Sequence, residues 1–161
     1  HSNTAEVAAI ISLLNVIASD RDMVSTLSRS REEKPIGIIC MYGAQREAVE
    51  TAMAERPWEA RFRRLLKVET VDSYQGKENT IVIVSLSRTN TTRQSGHVSI
   101  PNRANVAFSR AKERLIIVGS AKFWNGFAED DPIRKTLGWI VARERADGAA
   151  KVFDATTVFA G

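Results

Sequence analysis

Two short segments hold most of the chain's reactive chemistry. The first, Asp72-Ser73-Tyr74-Gln75-Gly76-Lys77-Glu78, sets two carboxylates, two hydroxyls, an amide, an ammonium and a glycine between two apolar runs. A plain connection does not require so many functional groups. Gly76 permits a backbone conformation that other residues resist, or a close approach to a ligand. The same composition also describes a solvated turn. It is not a phosphate-binding P-loop, because the first glycine of that pattern is missing and Glu78 stands where its hydroxyl would be. The second segment, residues 102–112 (NRANVAFSRAK), reads as a helix. Helical spacing places Ala104, Ala107, Phe108 and Ala111 on one face, with Arg103 and Arg110 on another stripe. Two guanidiniums on a closely packed helix suit phosphate recognition, since each offers a rigid fork of donors. A pair of surface salt bridges is the other reading.

Something must position these segments, and the apolar pattern says what. Residues 36–41 (IGIICM), 65–71, 81–86 (IVIVSL) and 115–119 (LIIVG) are short runs rich in β-branched residues, hence strands. Between them lie helical stripes. One begins at Asn3, has capping-box spacing to Glu6, and continues through Val7, Ile10, Ile11, Leu14 and Ile17. Another runs through Ala44, Ala48, Val49, Ala52 and Met53, a third opens at Pro101, and two more cover 122–127 and 133–145. Residues 19–34 read as a helix end running into a surface loop, and 87–99 as a polar loop. Continuous apolar strands separated by helices predict an α/β domain with a mostly parallel sheet covered on both faces. Ligands of such sheets bind beyond the carboxyl ends of the strands, so a common cleft for Glu78 and Arg110 is expected at that edge.

Length and composition narrow the classes. A chain of 161 residues with 43% hydrophobic and 26% charged content matches one globular domain, 1–161, whose tail from 147 onward either docks or dangles. The net charge of +4 and pI near 9.5 suit a polyanionic partner without requiring one. A single cysteine, Cys40, forms no internal disulfide and reads as a core filler in a reducing, cytoplasmic setting, with the nucleus also compatible. His1 and His97 are far apart with no thiol cluster, which leaves no structural metal pattern. No apolar run is long enough for a bilayer, and no secretory leader pattern opens the chain.

Taken together, the segments resemble superfamily-1 helicase motifs, especially the branch of the nonsense-mediated-decay helicase, the Dna2-like nucleases and the nidovirus helicase. Residues 70–78 (TVDSYQGKE) are similar to motif V, and 102–112 to motif VI. Ile36-Gly37-Ile38-Ile39 leading to Tyr42 and Gln45 is similar to motif IV. The resemblance runs from about Asn3 to near Arg145 and implies a RecA-like, P-loop-NTPase-type α/β domain that lacks its own Walker A.

It further implies a division of labour. Arg110 matches the catalytic arginine finger, worth on the order of 10³–10⁵ in rate in phosphoryl transfer. Glu78 matches the glutamate that accepts from the nucleotide ribose, with Gln75, Gly76 and Gln45 as further cofactor-side residues. Thr70, Asp72 and Ser73 match contacts to single-stranded DNA or RNA, and Arg103 serves either a phosphate or Asp72. ATP and Mg²⁺ would be held mainly by an N-terminal RecA-like domain of the same polypeptide. This chain carries no Walker A, and its acidic run Glu129-Asp130-Asp131 does not follow an apolar strand. The expected function is therefore the second motor domain of an ATP-dependent helicase, inactive alone. The alternative is a helicase-derived clamp that binds nucleic acid without catalysis.

Overall fold

The apolar run after Pro35 forms strand β1 (Ile36–Cys40), fully buried along its length. It pairs in parallel with β2 (Leu66–Thr70) on one side and β3 (Asn79–Ser85) on the other, and β3 pairs with β4 (Ala111–Val118). The sheet order is β2-β1-β3-β4, all parallel, in a computed structural model that describes residues 2–87 and 100–158. The expected α/β class holds. Of the polar stretch 87–99, all but Ser87 lies outside the described residues.

Period-2 alternation divides the core into two layers. Ile36, Ile38 and Cys40 join Ile81 and Ile83 on one face, under helices α1 (Thr4–Ser19), α2 (Arg21–Ser28), α3 (Gly43–Ala54) and α4 (Ala60–Arg63). Ile39, Met41, Val82 and Val84 face the other way, under α5 (Pro101–Phe108), α6 (Ala121–Trp124) and α7 (Pro132–Ala146). A last helix, α8, covers Ala155–Val158. Winding out from β1 to β2 and then back to β3 makes the gap between β1 and β3 the point where strand order reverses.

Several expectations need correction. The stretch 19–34, expected as a helix end running into a surface loop, holds a second helix. Asp20 accepts from Met23 N–H at 2.9 Å and starts α2, which buries Val24 and Leu27. The helix read through Ala111 stops at Phe108, so Arg110 lies past its end and Ala111 opens β4. Phe108 itself is only half-buried. In α7, read from its helical period, Trp139 is 61% exposed, with the Arg143 guanidinium 5.7 Å above its ring. The acidic run has a local explanation: the Asp131 carboxylate accepts from Ile133 and Arg134 N–H and caps α7. Near the tail, Val152 N–H donates to Glu144, while Phe153 stays 68% exposed.

Candidate functional site

The motif V segment leaves β2 at the carboxyl edge of the sheet and must reach the start of β3 at the amino edge, crossing over β1. The crossover itself contains no α-helix. A single 3-10 turn, Asp72–Tyr74, begins it, and Gly76 at φ 77° redirects the chain. Tyr74 makes the crossing possible. Its ring lies on Gly37 of β1, where an added Cβ would fall 1.7 Å from the Tyr74 hydroxyl. That hydroxyl donates to Asn79 Oδ1, and Asn79 Nδ2 donates to the Lys34 carbonyl. Burial, with Glu69 and Glu32 nearby, holds the Tyr74 phenol protonated far above its usual range. Lys67 Nζ sits 4.4 Å above the same ring.

The segment thereby places its two ends at opposite edges of the sheet. At the carboxyl edge, the exposed Asp72 carboxylate accepts from Arg103 Nη2 at 2.8 Å. Thr70 Oγ1 and Ser73 Oγ lie 3.2 Å apart beside it. Arg103 is thus spent, at least in part, on an internal ion pair. Gln75 and Gly76 follow on the exposed run toward the other edge.

At the amino edge, Asn79 N–H donates to the Arg110 carbonyl at 3.1 Å, so Glu78 and Arg110 enter adjacent strands side by side. Their backbones are adjacent, but at the edge opposite to the expected one. The reason is topological: a helix that precedes a parallel strand delivers its C-terminus to that strand's beginning, and Arg110 sits at that junction. Glu78 is exposed. Arg110 is half-buried, and its guanidinium is engaged only with its own surroundings: Nε donates to Val106 O at 3.0 Å and Nη2 to Ser109 Oγ at 2.8 Å. A guanidinium carries five N–H donors, so part of its capacity stays unspent, and no carboxylate forms an ion pair with it among the described residues.

Gln45 proves to be something else. It is fully buried at the strand-order reversal, and both ends of its amide are in use. Oε1 accepts from Asn3 N–H at 2.7 Å, and Nε2 donates to Ser85 Oγ at 2.9 Å. Ser85 Oγ donates to Glu6 Oε2 at 2.7 Å, which also accepts from Ser87 N–H at 2.9 Å. The capping box is therefore only half formed. Asn3 caps α1, but the carboxylate expected to reach back to it is turned mainly to the end of β3. Burial pushes the Glu6 carboxyl above its usual range, against the opposing hydrogen bonds from Ser85 and Ser87. Ser87 sits at φ 58°, a left-handed conformation costly for a residue with a Cβ, and the Glu6 contact meets its N–H there. Gln45 is placed as a brace for α1 and not as a side chain open to a nucleotide. Sequence reasoning missed Glu6, Ser85 and Ser87 as a unit, because its partners are separated by about eighty positions.

A nucleotide with its Mg²⁺ needs phosphate cradling and metal-binding acids. Among the described residues no group of three or more His, Cys, Asp or Glu side chains could hold a metal ion. What fits is a part of a site, an exposed carboxylate beside a guanidinium with unspent donors. No described helix is long and apolar enough to cross a membrane.

Comparison with known proteins bears on the same residues. An AAA domain family model (AAA_12) matches residues 1–122, which include all three motif segments. The helicase required for RNAi-mediated heterochromatin assembly 1 of Schizosaccharomyces pombe is 36% identical over 110 residues, 68% of this chain and 10% of that protein. A regulator of nonsense transcripts 1 homolog of Drosophila melanogaster is 35% identical over 109 residues, 63% of this chain and 9% of its own length. The DNA replication ATP-dependent helicase/nuclease JHS1 of Arabidopsis thaliana is 34% identical over 94 residues, 56% of this chain and 6% of that protein. The chain therefore spans a tenth or less of each of these relatives. With the parallel sheet and the ordered motifs on these matched residues, the chain belongs to the AAA domain family and is a RecA-like helicase domain of the superfamily-1 branch of the nonsense-transcript regulators and Dna2-like enzymes.

Proposed function

We propose that this chain is the second motor domain of an ATP-dependent helicase or translocase, completing a nucleotide site whose larger part lies on a preceding RecA-like domain of the same polypeptide. The observation that carries the reading is the backbone adjacency of Glu78 and Arg110 at one edge while Thr70, Asp72 and Ser73 stand at the other, with residues 70–78 running between the two. In this reading the Glu78 carboxylate takes the ribose hydroxyls and Arg110 is the finger. Charge accumulates on the γ-phosphoryl as it leaves, and a guanidinium already positioned there stabilises that charge without reorganising. Gln75 and Gly76 line the approach between the two edges. Bound Mg²⁺ would neutralise the β- and γ-oxygens, held by residues outside this chain.

At the other edge, hydroxyls and backbone hold the phosphates and sugars of a single strand without reading its bases, as a motor that steps over any sequence requires. The net charge of +4 adds a salt-sensitive attraction. The clamp alternative gives no role to a glutamate and an arginine brought to neighbouring positions at the edge opposite Thr70, Asp72 and Ser73. ATP hydrolysis by the full-length protein, measured with and without single strands, tests the reading. Strand-stimulated turnover that Arg110→Ala lowers about a thousandfold or more is the expected result, and turnover indifferent to that change would overturn it.

A further inference from the structure

Glu78 and Arg110 must keep a fixed separation to serve one nucleotide, yet each sits just outside a strand, where chains fray. The pairing of β3 with β4 also slips here: Asn79 opposes Ala111, but Ile81 opposes Arg114, so β4 carries one extra residue between them. A bulge of this kind bends its strand and re-aims side chains. It sends Lys112 toward Glu32, in the link between α2 and β1, and the two form an ion pair. The other carboxylate oxygen of Glu32 accepts from Thr80 N–H at 2.9 Å and from Thr80 Oγ1 at 3.2 Å. One carboxylate thus ties together the second residue after Glu78 and the second residue after Arg110. The Glu32 side chain is 19% exposed and that of Lys112 46% exposed, so the tie to Thr80 is the more sheltered of its two arms.

We propose that Glu32 is a positioning residue for the nucleotide edge, clamping Thr80 and Lys112 so that Glu78 and Arg110 are presented at a fixed spacing. The inference rests on the function proposed above. Burial alone would raise the Glu32 carboxyl, but the hydrogen bonds from Lys112 and Thr80 outweigh it and hold the group below its usual range, ionised as the clamp requires. Lys112 is correspondingly raised, first by its bond to Glu32. Glu78 also acts on Lys112, which puts the clamp within electrostatic reach of the carboxylate it positions.

The test is a double-mutant cycle on strand-stimulated ATP hydrolysis by the full-length protein, run well below each variant's melting temperature. Glu32→Ala should lower kcat about ten- to a hundredfold, the cost of a misplacement near 1 Å. In an Arg110→Ala background the same change should cost less than about twofold, because there is no finger left to misplace. Lys112→Arg, which keeps the pair, should retain kcat within about threefold, whereas Lys112→Met should behave as Glu32→Ala. Equal proportional losses in both backgrounds would mean a general folding role and overturn the proposal, as would an unchanged kcat in Glu32→Ala. Should Glu32→Ala fail to fold, Glu32→Gln, which keeps an acceptor for Thr80 but loses the charge, carries the same cycle. If Arg110→Ala alone leaves turnover intact, the proposed function fails, independently of Glu32.

Discussion

The crevice where strand order reverses and the outer surface of the amino edge treat polar groups in opposite ways. At the carboxyl edge, where strand order reverses, Glu6, Gln45, Ser85 and Ser87 are buried and joined in one hydrogen-bonded network, which ties the N-terminus of α1 to the end of β3 and to α3. At the amino edge, Glu78 is exposed and Arg110 keeps donors unspent. Open α/β sheets ordinarily bind ligands at the reversal point. Here that place is taken up by architecture, and the free chemistry lies elsewhere. A buried polar group must find its partners within the fold or cost free energy, so complete satisfaction marks a brace. Exposed and incompletely paired groups are the ones left for a partner.

The largest expected effect breaks the comparison directly. In the full-length protein, Arg110→Ala should lower kcat by about a thousandfold or more while strand affinity stays within about threefold, since the finger acts on transition-state charge. Arg110→Lys should restore little, because an ammonium lacks the planar fork. If both constants fall together, the two edges do not divide the work.

The next variant attacks the bridge between the edges. Gly37→Ala drives a methyl into the Tyr74 hydroxyl, so the motif V crossover must shift off β1. A loss of about 3 kcal/mol in unfolding free energy is expected, at the upper end for overpacking. Thermal or urea melting of this chain would show it, and an unchanged midpoint would mean that Tyr74 does not hold the crossover.

Acid titration sharpens the contrast further, because the two carboxylates shift in opposite directions. The Glu6 carboxyl is raised, so its contribution to stability is full below about pH 4.5 and is lost as pH rises through its folded value. Glu32 is lowered, so its contribution is present above about pH 4.5 and is lost as pH falls. Melting curves across pH should therefore show Glu6→Gln flattening the neutral side and Glu32→Gln flattening the acid side. Parallel profiles for both variants and the parent chain would contradict the assignment.

The smallest effect concerns Arg103. Its pair with Asp72 is partly exposed, so Arg103→Ala should cost under about 1 kcal/mol of stability. If the guanidinium also meets a strand phosphate, the salt dependence of strand binding should weaken by about one counterion. An unchanged slope would leave it as the Asp72 partner alone.

The amino-acid sequence by itself determined the strands, the α/β class and the grouping of chemistry into two segments. Apolar runs such as Ile81–Val84 and motif spacing are local properties, written in neighbouring residues. It also carried the family resemblance, through residues 70–78 and 102–112. Only tertiary structure decided which edge each group occupies. Arg110 and Glu78 come together because β3 and β4 pair in parallel from their beginnings, a consequence of topology that no local pattern contains. The same holds for Gln45, Glu6 and Glu32. Their partners lie tens of positions away, and whether a polar side chain is a brace or an open ligand depends on what the folded chain packs around it.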